Sequence, residues 1–208
     1  LQEMYRLSPE DLCGCVTLAE TNDARGVPDD FEGFCRGSGK RLWIASKGSE
    51  LAGAIAELAP DLCMVLGWYW IIDPRLLQIP RLGWFGIHGS LLPRYRGGSP
   101  LVWTIINGDR VGGLSLFQLD EGTDTGDIVA QKEFPIGCDE TIGDVLSKVE
   151  ELSLDLIREN YLAIVHGTAP RTRQDHALAS YAASRKPSDG WIDWSAASVR
   201  IHDFVRAQ

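Results

Sequence analysis

Residues 84–100 read WFGIHGSLLPRYRGGSP, and this stretch decides the fold. Trp84, Phe85 and Ile87 make a short apolar run of the kind a buried strand shows. The run ends on His88. A loop follows that holds Gly89, Gly97 and Gly98, Pro93, and the two arginines Arg94 and Arg96. Ser99-Pro100 then starts a helix, with Pro at a tolerated first-turn position, and Asn107-Gly108 stops it. Loops placed by a rigid scaffold carry function disproportionately. On its own, one His beside such a loop also fits a structural role, and the glycines fit tight turns. Arg94 and Arg96 fit either ordinary surface charges or an anion site.

The same strand–loop–helix grammar extends in both directions. Residues 12–19 (LCGCVTLA) read as a strand that puts Cys13 and Cys15 on one face as small hydrophobes. Residues 22–39 are rich in Gly, Asp and Pro and read as a loop. Leu51, Ile55 and Leu58 fall at helical spacing within residues 49–59, and Pro60-Asp61 breaks that helix. Residues 62–66 (LCMVL) read as a strand, and Asp73-Pro74 opens a short helix. Residues 113–119 (GLSLFQL) and 128–134 read as neighbouring strands. Residues 141–165 form the longest helical pattern, with Ile142, Val145, Leu146, Val149, Leu152 and Leu156 in one apolar stripe that offers a homodimer face. Residues 167–188 read as a polar connector, and a final helix starts at Ser195. Alternating strands and helices predict an α/β fold with an open, mostly parallel sheet and flanking helices. Ligands of such sheets bind beyond the carboxyl ends of strands, and both His88 and Asp124 follow predicted strands.

The chain has 208 residues, enough for one good-sized domain and a short appendage. Its net charge of −9 sets an overall field that repels polynucleotides, so nucleic acid is read as an unlikely partner. Five cysteines without a CxxC pair argue against a disulfide framework or zinc site and suit a cytoplasmic protein. No apolar run reaches the roughly 18 residues of a membrane span, and the first residues lack the signature of a signal peptide. The sequence starts at Leu1 rather than Met and stops inside a helical pattern at Gln208. Both ends of the natural protein are therefore expected to lie outside it.

A second unusual stretch is DEGTDTGD, residues 120–127, with four carboxylates and two glycines between strands. It fits a solvated acidic turn or a cation site, but it fails the EF-hand pattern because Gly122 stands at a ligand position. Ser38-Gly39-Lys40 fails the phosphate-loop pattern, with Phe34 in place of its first Gly and Arg41 in place of Ser or Thr. His166, His176 and His202 have no metal-binding spacing.

Residues 61–161 closely resemble the formyltransferases that use 10-formyltetrahydrofolate. The resemblance rests on His88-Gly89-Ser90-Leu91-Leu92-Pro93, then Tyr95-Arg96-Gly97, Ile106-Asn107-Gly108, and Asp120-Glu121-Gly122-Thr123-Asp124-Thr125-Gly126. It implies a Rossmann-like catalytic domain over residues 1–166 whose first strand precedes Leu1. Residues 167–208 would then be a connector and the start of a C-terminal subdomain. It implies catalysis by His88 and Asp124 without metal, and folate near Trp70, Ile71 and Ile72 and along Asp120, Glu121, Gly122, Thr123 and Asp124. Ser90, Arg94, Arg96 and Trp191 are the expected acceptor-binding residues. Family members commonly carry Asn two residues before the His, as a second donor to the formyl oxygen; here that residue is Gly86.

The acceptor is first read as a nucleotide-linked amino sugar, for surface polysaccharide synthesis, because residues 185–194 resemble the segment that follows the catalytic domain of the sugar enzymes. Methionyl-tRNA is the second reading. A 10-formyltetrahydrofolate hydrolase or a non-catalytic folate or nucleotide binder, suggested by Gly86, is the third.

Overall fold

A computed structural model describes residues 1–19, 28–68 and 70–208 of the chain. In chain order the elements are α1 (Gln2–Leu7), β1 (Gly14–Leu18), α2 (Pro28–Ser38), β2 (Arg41–Ala45), α3 (Leu51–Leu58), β3 (Leu62–Val65), α4 (Pro74–Leu77) and β4 (Gly83–His88). They continue with β5 (Arg96–Gly97), α5 (Pro100–Ile106), β6 (Val111–Gln118), β7 (Ile128–Pro135), α6 (Ile142–Val165), β8 (Tyr181–Ala182) and α7 (Ser198–Arg206). The main sheet has the order β3-β4-β6-β7. Parallel pairing joins β3 to β4, β1 to β2, and β5 to β8. β6 and β7 run antiparallel, to β4 and to each other. A short loop rather than a crossover helix connects β6 to β7, and such a loop can only join antiparallel neighbours.

β4 sits inside the sheet and packs on both faces. Phe85 is fully buried with Leu114 and Leu116 of β6 against Leu156 and Ile164 of α6. Burying side chains of this size contributes about 1.5–3 kcal/mol each. Trp84 faces the other way, onto Leu51 and Ile55 of α3, and its Nε1 donates to the Leu76 carbonyl at 3.0 Å. The two-residue strand period therefore puts Gly86 and His88 on the Trp84 face. The β1–β2 pair is not hydrogen-bonded to the main sheet among the described residues. A cavity of about 420 Å³ separates residues 12–16 from residues 62–66.

Local chemistry explains the helix ends. Thr141 and Asp144 form a capping box at the start of α6, with the Asp144 carboxylate accepting from the Thr141 N–H at 2.8 Å. Asp73 caps α4 by accepting from the Arg75 N–H, and Pro74 occupies the first turn. α7 is anchored by a buried Asp203–Arg206 pair at 2.8 Å, whose guanidinium also donates to the Glu140 carbonyl.

Three expectations need correction. The loop expected over residues 22–39 is a helix from Pro28 onward, and its residues 22–27 lie outside the described ones. Phe31, Phe34 and Cys35 are spaced for one helical face, and the ring of Phe34 meets that of Tyr5 edge-on at 5.4 Å, so packing overrides the two glycines. Cys13 and Cys15 do not share a buried face: β1 begins at Gly14, Cys13 is exposed and Cys15 is buried. The α6 stripe is no dimer face, because Val145 and Leu156 are fully buried in the core while Leu146 stands 50% exposed. No helix of the described residues is long and apolar enough to cross a membrane.

Glu3 ties α1 to α6, accepting from Arg6 at 2.7 Å and from Arg158 at 2.9 Å. Those guanidiniums hold its carboxyl at about 2, below the ordinary carboxylate range. A carboxylate depressed on folding stabilises the fold above its unfolded pKa, and that stability is lost as pH falls through the folded value. The acid limb of a pH–stability curve, measured by urea unfolding, is therefore expected to steepen between about 4.5 and about 2. Glu3→Gln should flatten it.

Candidate active site

His88 is the last residue of β4, nearly buried, with its ring edge toward Phe117. Its Nε2 lies 2.8 Å from the Tyr95 carbonyl oxygen. A carbonyl only accepts, so Nε2 carries the proton. Its Nδ1 lies 3.5 Å from Asp124 Oδ2. Both ring nitrogens thus face oxygen acceptors, and a ring bearing both protons satisfies both.

The route by which Asp124 arrives differs from the one expected. β4 and β6 are antiparallel, with His88 opposite Ser115 and Phe85 opposite Gln118. The carboxyl end of β6 therefore lies beside Phe85, toward the start of β4 and away from His88. The acidic loop folds back along β4 to close the gap. Leu119 donates its N–H to the Trp84 carbonyl, and the Gln118 N–H binds the Asp127 carbonyl at 2.8 Å. Asp120 Oδ1 accepts from Gly122 N–H and from Thr125 Oγ1. A side chain at Gly126 would overlap the Gln118 carbonyl, so only Gly fits there. Asp124 itself has φ +52°, a left-handed conformation that costs a non-Gly residue of order 1–3 kcal/mol. Its Oδ2 accepts from the Gly97 N–H at 2.7 Å.

The loop after His88 is held from below by two side chains that sequence reasoning missed. Ser115 Oγ, fully buried in β6, accepts from the Leu92 N–H at 3.0 Å and donates to the Ser90 carbonyl at 2.6 Å. Gln131 of β7 donates to Ser115 Oγ and to the Leu92 carbonyl. The signal was present: a serine inside the apolar run GLSLF occupies a core position that only a hydrogen-bonding job explains. From above, Tyr95 Oη donates to Asp109 at 2.8 Å and accepts from Asn107.

The expected binding residues separate. Ser90 is buried and donates to the Arg94 carbonyl, so it shapes the loop. Arg94 is exposed and paired with Asp109 at 3.1 Å. Arg96 is neither a surface charge nor open to an anion, being 1% exposed. Its guanidinium donates to Gln174 Oε1 at 2.6 Å and to Tyr181 Oη, with His176 Nδ1 at 3.1 Å. Trp191 stands 85% exposed. Asp120, Glu121 and Gly122 line a cleft of about 700 Å³ with Gln118 and Leu119. Trp70 and Ile71 do not line it, and Ile71 is 94% exposed. Ile72 lines the other cavity, between the sheets. Cys15 and Cys63 offer no nucleophile, since burial pushes their thiols up to about 12.

The position of the family's Asn is crowded. A Cβ at Gly86 would lie 3.1 Å from Leu119 Cδ1 and 3.3 Å from the Val65 carbonyl oxygen. Leu119, the residue that begins the acidic loop, occupies that space.

Residues 42–159 match the formyl transferase family. Methionyl-tRNA formyltransferase of Geobacter metallireducens is 36% identical over 202 residues, covering 95% of this chain and 65% of that protein. Methionyl-tRNA formyltransferase of Ruminiclostridium cellulolyticum is 38% identical, covering 77% of this chain and 51% of that protein. The chain thus spans between half and two thirds of these relatives' length. The structure of a sugar N-formyltransferase from a Shewanella species has the same fold, with TM-score 0.76, 20% identity, and coverage of 99% of this chain and 81% of that one.

These relatives overturn the expectation of an amino-sugar acceptor, of a polysaccharide role, and of nucleic acid as an unlikely partner. The charge argument averaged the whole chain. Beyond residue 166 the basic side chains Arg171, Arg173, Arg185, Lys186, Arg200 and Arg206 outnumber the acidic Asp175, Asp189, Asp193 and Asp203.

Gly86→Asn alone is expected to destabilise the fold by about 1–3 kcal/mol, the usual cost of overpacking. Adding Leu119→Ala should recover part of that loss. Urea unfolding of both variants checks the pair, and a neutral Gly86→Asn would contradict the contact with Leu119.

Proposed function

This chain belongs to the formyl transferase family, and from that premise we propose that it transfers the formyl group of 10-formyltetrahydrofolate to the α-amino group of methionyl-tRNA. The observation that carries the reading is the pairing of His88 Nδ1 with Asp124 Oδ2 at 3.5 Å, in a chain with methionyl-tRNA formyltransferases as 36–38% identical relatives.

The folate is assigned to the His88 side of the acidic loop, where Asp124 meets the ring and the loop backbone offers donors and acceptors to a flat heterocycle. The cleft of about 700 Å³ opens instead beside Gly83, at the other end of β4, and includes neither His88 nor Asp124. Bound 10-formyltetrahydrofolate supplies the activated formyl carbon that the methionyl amine attacks. His88 stabilises the negative charge growing on the formyl oxygen and gives its proton to the departing folate nitrogen. The proton that Nε2 shares with the Tyr95 carbonyl is the one available for this work. Asp124 fixes the opposite side of the ring and, through a water, receives the proton that the attacking amine releases. Gly86 brings no side chain, so His88 does this without the second side-chain donor common in the family. Beyond residue 166 basic side chains outnumber acidic ones, and neutralising phosphates with such side chains favours tRNA.

The protein is expected to formylate charged initiator tRNA in the presence of 10-formyltetrahydrofolate. His88→Ala should lower kcat by about 10²–10⁴, the range for loss of a general acid, while His166→Ala, an exposed control, should leave it unchanged. Formylation of nucleotide-linked amino sugars but not of tRNA, or folate hydrolysis without transfer, would contradict the assignment.

A further inference from the structure

Gln174 lies in the connector, 50 residues beyond Asp124 in the chain, and is buried beside it. Its Nε2 donates to the Asp124 carbonyl at 2.9 Å and to the Gly126 carbonyl at 2.7 Å. Its Oε1 accepts from Arg96 Nε at 3.1 Å and from Arg96 Nη2 at 2.6 Å. The chemistry at each end fixes the amide's orientation: carbonyls need a donor and a guanidinium needs an acceptor. All four contacts are therefore made by one rotamer of one residue.

Two of the tied segments meet again at the carboxylate. Arg96 precedes Gly97, whose N–H holds Asp124 Oδ2. β5 is itself fixed by β8, with Arg96 opposite Tyr181 and Gly97 opposite Ala182. The Arg96–Gln174 unit thus grips Asp124 at its carbonyl directly and at its carboxylate through the strand that carries Gly97. It holds a residue in a left-handed conformation that its own backbone disfavours.

We propose that Gln174, backed by Arg96, is the positioning residue that sets Asp124 against His88, so that the connector takes part in building the active site. The proposal rests on the formyl-transfer reading for its effect on rate, but not for the clamp itself.

Gln174→Glu is the discriminating variant. It keeps the shape and the Arg96 contact, but turns an oxygen toward two carbonyl oxygens. In the full chain, hydrogen–deuterium exchange of residues 120–127 is expected to speed up by about tenfold or more as the loop opens locally. The kcat for methionyl-tRNA is expected to fall by about 10–100-fold with KM changed less than about threefold, since a misplaced group costs chemistry rather than binding. A merely structural role would raise KM and lower thermal stability along with kcat. Should Gln174→Glu fail to fold, Gln174→Ala, which sets no charge against the carbonyls, is read by the same measurements. Unchanged exchange in residues 120–127 overturns the proposal, and so does faster exchange with unchanged kcat. A wild-type chain that transfers no formyl group overturns the functional reading instead, and the exchange result still decides the clamp.

Discussion

The hydrogen bond from the Gly97 N–H to the Asp124 carboxylate, 2.7 Å long, is the constraint on which the rest of the site depends. It joins two loops that leave the sheet at opposite ends. β4 and β6 are antiparallel, so the loop after His88 and the acidic loop after Gln118 start apart and would diverge if nothing drew them together. The acidic loop turns back along β4, and its fold-back is fastened by the Leu119 N–H on the Trp84 carbonyl. Its arrival is fastened by Gly97. Between those points the chain needs Asp120 as an internal acceptor, Gly126 where no side chain fits, and Asp124 in a left-handed conformation. The motif DEGTDTGD describes a loop bent to deliver one carboxylate.

The partner loop is rigid for a different reason. Ser115 and Gln131 bring hydrogen bonds into a sheet otherwise filled by Phe85, Leu114 and Leu116, and they use them on the backbone of Ser90 and Leu92. A buried polar network is worth having only when every member is satisfied. The same holds for Arg96, a buried cation with no carboxylate partner among the described residues. Placing an unpaired charge away from water costs several kcal/mol. Gln174, Tyr181 and His176 take up its donors, and the Tyr181 ring lies 5.9 Å from the guanidinium. A chain that maintains such a cation is held to a single arrangement of the connector, because any other leaves the guanidinium bare.

Much of this was legible in the sequence. β4 could be read from its short apolar run and α6 from the apolar stripe at helical spacing. His88 and Asp124 could be paired through the resemblance, but the geometric reason offered, two carboxyl ends of parallel strands, was wrong for β6. Composition misled at Pro28–Ser38, where glycines and aspartates suggested a loop and the aromatic face that packs on Tyr5 decided for a helix. A net charge of −9 likewise concealed a final segment in which basic side chains outnumber acidic ones. Gln174 was illegible, because a glutamine in a polar connector carries no local signal and its partners lie 48, 50 and 78 residues away.

The central claim is that His88 and Asp124 act as one unit. A double-mutant cycle on kcat for formyl transfer tests it most directly, with His88→Ala, Asp124→Ala and the pair in the same chain. The account predicts that each single change costs about 10²–10⁴ and that the double costs little more than the worse of the two, as for groups that work only together. Losses that multiply in the double variant would show two independent contributions and contradict it.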